Sequence, residues 1–218
     1  MVDAMEERPG IHRLVWQKHH QRYGLYIPPL YSPERPRSLI LALHFGGPAY
    51  AYRGEALLTS LVVPALEELG VLILAPDCTQ SAWDNPLSER DTVALLDHVQ
   101  SRHQVQNKAI IMGYSMGGMG AWYLAARNQE LLAGVMPISA RPQPDSASVD
   151  WRIPLYAIHS RDDELFPLGP TVEVVNRLQA NKANVRLTVL DGIGHFEVSR
   201  FIGPLNAAGS WFREVWAE

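Results

Sequence analysis

The feature that most constrains this chain is the pentapeptide Gly113-Tyr114-Ser115-Met116-Gly117, set between a short apolar run and a segment with helical spacing. A serine at such a joint sits on a sharp strand-to-helix turn and projects its hydroxyl from the end of a sheet. Small residues two before and two after keep the turn free of clashes. The chain has 16 Gly in 218 residues, so two glycines flank a given serine by chance at a frequency of roughly 0.005. Gly118 and Gly120 continue the run and read as packing residues that let the helix approach the sheet.

The surrounding pattern alternates. Short apolar runs at 38–44, 71–75, 108–112, 134–138, 154–159 and 185–190 predict six strands buried on both faces. Helical spacing predicts helices over 55–69 (stopping at Gly70), 88–103 (with Ser88 as N-cap), 116–128, 171–180 and 201–216. Strands and helices in this rhythm predict an α/β fold, a mostly parallel sheet with helices on both faces. Residues 13–17 and 22–27 flank Lys-His-His-Gln and predict an antiparallel N-terminal hairpin at the sheet edge, giving eight strands. His19-His20 at its tip read as solvated residues rather than a metal site. Pro28-Pro29 and 33–36 read as turns, and 141–150 as the longest loop. With no repeat or low-complexity tract, the expectation is one domain over 1–218.

Hydrophobic residues make up 47% of the chain and charged residues 19%, enough for a sizeable core. The net charge of −4 leaves no basic surplus to neutralise phosphates, so no nucleic-acid partner is expected. Cys78 is the single cysteine, which excludes a disulfide framework and any CxxC site. No apolar stretch reaches the length of a membrane span, and residues 1–10 carry no signal-peptide core; the expectation is a cytoplasmic protein. HExxH, GxxxxGK[ST] and an N-terminal GxGxxG are absent, so neither metal nor cofactor is expected.

A serine hydroxyl is a weak nucleophile without a base, and the base needs an acid to orient it. In this topology the chain order is serine, acid, histidine. His195 lies just past the last strand and is the one histidine beyond residue 159, so it is the expected base. The acid belongs in the loop Ser160-Arg161-Asp162-Asp163-Glu164, where Asp163 is favoured over Asp162 and Glu164; the other two are expected to face solvent or Arg161. An oxyanion hole needs two backbone N–H groups. Met116, next after the serine, supplies one; Gly46, or alternatively Phe45, in His44-Phe45-Gly46-Gly47 supplies the other.

Gly-Tyr-Ser-Met-Gly-Gly with His-x-Gly-Gly upstream resembles the α/β-hydrolase superfamily. Within it the chain is similar to small carboxylesterase/lysophospholipase-like and feruloyl-esterase/depolymerase-like serine esterases. Those families carry His-Gly-x-x-Asp-x-x-x-Pro around the acid; His159, Asp163 and Pro167 match, with Ser160 in place of Gly, which supports Asp163. Phe45 stands where the families usually have Gly after the histidine.

The resemblance implies a serine carboxylesterase working through an acyl-enzyme on a small-molecule ester, with thioester, lysophospholipid or small-peptide hydrolysis as alternatives on the same residues. A non-catalytic binding module of the same fold is the least favoured reading. The loop after the fourth of the six runs, between Ile138 and Pro154, is too short for a helical cap, so an open, shallow site and short- to medium-chain esters are expected. Trp83, Tyr50, Phe166 and Phe196 are the candidate substrate-facing rings, Trp83 foremost. A second copy of the chain is the one protein partner considered.

Overall fold

The computed structural model describes residues 8–18, 20–32, 38–48, 50–103, 105 and 108–217. His19 and the turn expected at 33–36 lie outside them. The N-terminal hairpin pairs β1 (Gly10–Trp16) with β2 (Gln21–Ile27) in antiparallel register, Leu14 opposite Tyr23. The remaining strands are β3 (Leu39–Leu43), β4 (Leu72–Pro76), β5 (Ala109–Tyr114), β6 (Leu132–Ile138), β7 (Leu155–Ser160) and β8 (Val185–Leu190). They form one eight-stranded sheet in the order β1-β2-β4-β3-β5-β6-β7-β8. β2 meets β4 antiparallel, and every pairing from β4 to β8 is parallel.

β3, β4 and β5 are buried along their whole length, which is why their sequences run apolar without alternation. Helices cover both faces. On one, α3 (Pro86–Arg102), α4 (Met116–Arg127) and α5 (Gly169–Ala180) pack Leu95, Val99, Trp122 and Leu178 onto the sheet. On the other lie α1 (Arg53–Leu57), α2 (Val63–Leu66), α6 (Ile202–Ala207) and α7 (Gly209–Ala217), contributing Leu57, Leu66, Leu205 and Phe212.

Three helices differ from expectation in instructive ways. The helix expected over 55–69 is interrupted by a π-helical turn, Leu58–Val62, between α1 and α2. Pro64 has no N–H for the carbonyl four residues back and its ring crowds that carbonyl, so the ladder widens just before it. α3 starts earlier than expected: Asn85 is its cap, the side chain accepting from Leu87 N and Ser88 N, with Pro86 in the first turn. Ser88 instead donates to Ala82 O at 2.7 Å. The single C-terminal helix expected over 201–216 is a 3₁₀ turn (Val198–Phe201) followed by α6 and α7, broken at Ala208-Gly209.

The joint between β5 and α4 is closed by backbone contact. A Cβ on Gly113 would lie 2.1 Å from Gly117 O, and one on Gly117 would lie 1.9 Å from Leu43 O. Gly118 and Gly120 do pack as expected, against Ala140 and Trp83 respectively; a Cβ at Gly120 would lie 2.3 Å from the Trp83 Cβ. These contacts put the N-terminus of α4 directly over the ends of β3 and β5.

Candidate active site

Ser115 has φ 57° and ψ −120°, a strained conformation for a residue with a side chain, and its N–H donates to Ile138 O at 3.0 Å. The strain turns the hydroxyl away from the sheet. Ser115 Oγ lies 2.8 Å from His195 Nε2. His195 Nδ1 lies 2.9 Å from Asp163 Oδ2 and 3.0 Å from Asp163 Oδ1. All three residues are buried. Ser115 follows β5, Asp163 follows β7 and His195 follows β8, so the line is assembled at the carboxyl ends of strands, where open α/β sheets place their sites.

The carboxylates of the 160–167 loop divide the work differently from expectation. Asp163 faces the imidazole and also accepts from Leu165 N (3.0 Å) and Phe166 N (2.7 Å), which fixes its plane. Asp162 and Glu164 are exposed, as expected, but neither pairs with Arg161, and each also holds a backbone amide. Asp162 accepts from Gly192 N at 2.6 Å, and Glu164 accepts from His195 N at 2.7 Å. Arg161 pairs with Asp191 instead, at 2.8 Å. Gly192 has φ +70°, the left-handed bend that lets the loop after β8 turn back toward β7. Glu197 accepts from Gly194 N at 2.7 Å and completes the hold on that loop.

Two supporting residues were not singled out for these roles by sequence. The Tyr114 hydroxyl donates to His195 O, and its ring packs 5.7 Å from the imidazole. Burial, with Asp163 nearby, pushes this phenol far above its usual range, so it remains a donor. His159 Nε2 donates to Phe166 O at 2.8 Å, and its Nδ1 faces Thr171 Oγ1 at 3.0 Å. Burial lowers its basicity, and the neutral ring braces the turn that carries Asp163. The signal for His159 was its spacing to Asp163; Tyr114 had none beyond its place beside the serine.

The His44-Phe45-Gly46-Gly47 loop is tied down by its histidine. His44 Nε2 accepts from Cys78 N at 3.0 Å, so Nδ1 carries the proton that it shares with Phe45 O at 2.7 Å. The Phe45–Gly46 peptide is trans, so its carbonyl on the His44 ring turns the Gly46 N–H the opposite way, away from that buried ring. Gly46 stands beside Met116: a Cβ on it would be 3.7 Å from the Met116 Cβ and Sδ. Met116 opens α4, and the amide of a first helical residue has no carbonyl within the helix to bond.

A cavity of about 500 Å³ opens over Ser115 and His195, bounded by Phe45, Gly46, Tyr114, Leu165, Phe196 and Val198 among others. Leu165 and Phe196 are 49% and 73% exposed and form an apolar rim. Phe166 packs edge-on against His195, ring centroids 5.3 Å apart. Trp83 is a correction. It is 1% exposed, its indole N–H donates to His44 O at 2.9 Å, and it fills the space left by Gly120, so it is a core residue beneath the His44 loop. Tyr50 also lies off this cavity and lines a different one.

Burial lowers the His44 pKa to about 4, and His103, buried away from the site, is also lowered to about 4. Each imidazole takes up a proton more readily in the unfolded chain than in the native one. Stability is therefore full above about pH 6.5 and is lost as pH falls toward 4, on the order of 2 kcal/mol for each ring by pH 4.5. Urea unfolding at pH 7 and pH 4.5 measures the difference, and His44→Gln should flatten the acid limb.

Among the described residues no helix is long and apolar enough to cross a membrane. The chain is 25% identical over 182 residues to feruloyl esterase C of Emericella nidulans, a match covering 80% of this chain and 67% of the relative. It is 23% identical over 179 residues to a probable feruloyl esterase C of Aspergillus flavus, covering 79% and 64%. The chain thus spans about two thirds of the length of these relatives. A crystal structure of a thermostable esterase superposes with a TM-score of 0.77 at 22% identity, over 94% of this chain and 62% of that one, which shows the α/β-hydrolase fold. Residues 71–202 match the model of the dienelactone hydrolase family, well over half of the sequence, and the chain belongs to that family.

Proposed function

We propose that this protein is a serine carboxylesterase in which Ser115 attacks the ester carbonyl. The observation that carries the reading is the continuous hydrogen-bonded line from Ser115 Oγ through His195 to Asp163, at the floor of an apolar cavity. His195 Nε2 takes the serine proton and returns it to the leaving alcohol. Asp163 holds the Nδ1–H tautomer and stabilises the imidazolium as it forms. The Met116 and Gly46 amides receive the oxyanion; the turned Phe45–Gly46 peptide favours Gly46 over Phe45. Water activated by His195 then releases the acid and restores the serine.

The decisive experiment pairs fluorophosphonate labelling with a substrate panel. Labelling at Ser115, with cleavage of 4-nitrophenyl esters and not of aminoacyl amides, is the expected result. No labelling would make the chain a binding module, and faster amide cleavage would make it a peptidase.

Acyl length follows from the cavity. Methylenes that enter it gain about 0.8 kcal/mol each from burial, and those beyond the Leu165–Phe196 rim gain nothing. Acetyl to hexanoyl esters should therefore be cleaved faster than dodecanoyl or longer ones. A kcat/KM series that climbs steadily to palmitoyl would refute the open, short site.

A further inference from the structure

His195 is held both by its side chain and by its backbone, and two of the holds come from consecutive residues. Ser115 Oγ lies 2.8 Å from its Nε2, and the hydroxyl of Tyr114, the residue before, donates to its carbonyl oxygen. The other side chains on this loop are Asp162, Glu164 and Glu197, all exposed, which accept from the amides of Gly192, His195 and Gly194. Tyr114 is buried, so water does not compete for its bond. The strands differ too. β8 is an edge of the sheet and only partly buried, whereas β5 is buried along its whole length. The phenol therefore ties the base, which follows an edge strand, to the strand that carries the nucleophile.

A phenol has one proton to give, and its oxygen can still accept. The group placed to donate to it is Ser139. Ile138 is the register partner of Tyr114 across β5 and β6, and Ser139 follows it. Ser139 is fully buried, with its N–H donating to Ile158 O at 2.9 Å. Its φ is 43°, a bend that glycine adopts freely and that strains a residue with a Cβ. Its Oγ has no well-aligned hydrogen bond among the described residues; the polar group it faces is the Tyr114 phenol. Glycine would make this bend without strain, but only serine keeps a hydroxyl beside the phenol. A proton directed from Ser139 at the phenol oxygen leaves the phenol's own proton for His195 O, and buried hydrogen bonds in such a chain polarise one another.

We infer that Tyr114 is a positioning residue for the base, and that Ser139 sets the direction in which its hydroxyl points. The inference rests on the hydrolase reading above and adds two residues outside the line from Ser115 through His195 to Asp163. In that reading the imidazole takes a proton from Ser115 and returns it to the leaving alcohol from one fixed place. A displacement of about 1 Å in such a group costs on the order of 100-fold in rate. Tyr114 acts through the His195 backbone, and Ser139 acts through Tyr114.

The test measures kcat and KM on 4-nitrophenyl butyrate for the wild type, Tyr114→Phe, Ser139→Gly and the double variant. Rates are taken per active site, counted by end-point fluorophosphonate labelling. Tyr114→Phe keeps the ring and should lower kcat by roughly ten- to a hundredfold with KM hardly changed. Ser139→Gly should lower kcat by about three- to tenfold, while its midpoint in urea does not fall, because glycine accepts the bend. In the Tyr114→Phe background Ser139→Gly should have no further effect on kcat, since the hydroxyl it directs is gone. A wild-type kcat in Tyr114→Phe overturns the inference. So does a raised KM at unchanged kcat, which would make Tyr114 only a wall of the cavity, or a loss that vanishes once rates are counted per active site, which would make its role one of folding. An equal effect of Ser139→Gly with and without the phenol overturns the part given to Ser139. No labelling and no turnover in the wild type overturns the hydrolase reading, and the inference with it.

Discussion

Ser115→Ala should lower ester hydrolysis by on the order of 10⁴-fold or more, while the protein keeps its fold. The acyl-enzyme cannot form without the hydroxyl, and what remains is the contribution of binding and oxyanion stabilisation. The Oγ makes its hydrogen bond to His195 Nε2, so its removal leaves β5, α4 and the core contacts of the joint untouched. His195→Ala should be nearly as severe, because nucleophile and base act as a unit. Steady-state assay of purified protein on 4-nitrophenyl butyrate, with urea unfolding alongside, checks both halves. Activity within tenfold of wild type would sink the role given to Ser115.

The second large effect separates the adjacent acids. Asp163→Asn should cost on the order of 10⁴-fold in kcat, because an amide no longer favours the imidazole tautomer that leaves Nε2 free to accept. Asp162→Asn should cost less than about tenfold. The asparagine oxygen can still accept from Gly192 N, so the His195 loop keeps its anchor. Comparison of kcat for the two variants decides the matter; the reverse order would move the acid's role to Asp162.

The middle of the sheet was legible because β3, β4 and β5 are buried on both faces, and continuous apolar runs such as Leu-Ile-Leu-Ala-Leu have few other uses; the edge strand β8, expected to be buried on both faces, is only partly so. The spatial meeting of the Ser115, Asp163 and His195 loops was legible through chain order, since parallel strands put successive loops at one end of the sheet, and the spacing to His159 and Pro167 favoured Asp163 among its neighbours. What escaped the sequence depended on distant partners. Trp83 lies between helix and strand and so looked exposed. It is buried because Gly120 clears space for it and His44 offers a carbonyl, and both are far away along the chain. Asp162 and Glu164 looked like spare charges because their acceptor role needs amides from the loop after β8. The Asn85 cap was a different kind of miss: Asn-Pro at a helix start is a local signal, and Ser88 competed with it.

The lacing between the loops after β7 and β8 also limits where this chain can change in length. Asp162 and Glu164 reach Gly192 and His195 from fixed positions, while Asp163 between them reaches the imidazole. One residue inserted or deleted in either loop would put all three pairings out of step together. Residues 141–145, where the chain leaves β6 and heads toward the short turn Ser146–Ser148, are held more loosely, Gln143 Nε2 reaching Asp84 Oδ2 and Met119 O at 3.4 Å each. Additional polypeptide grafted there, even a whole covering segment, would leave the pairings in register, so this is the position from which a descendant of this chain could grow a roof over its site.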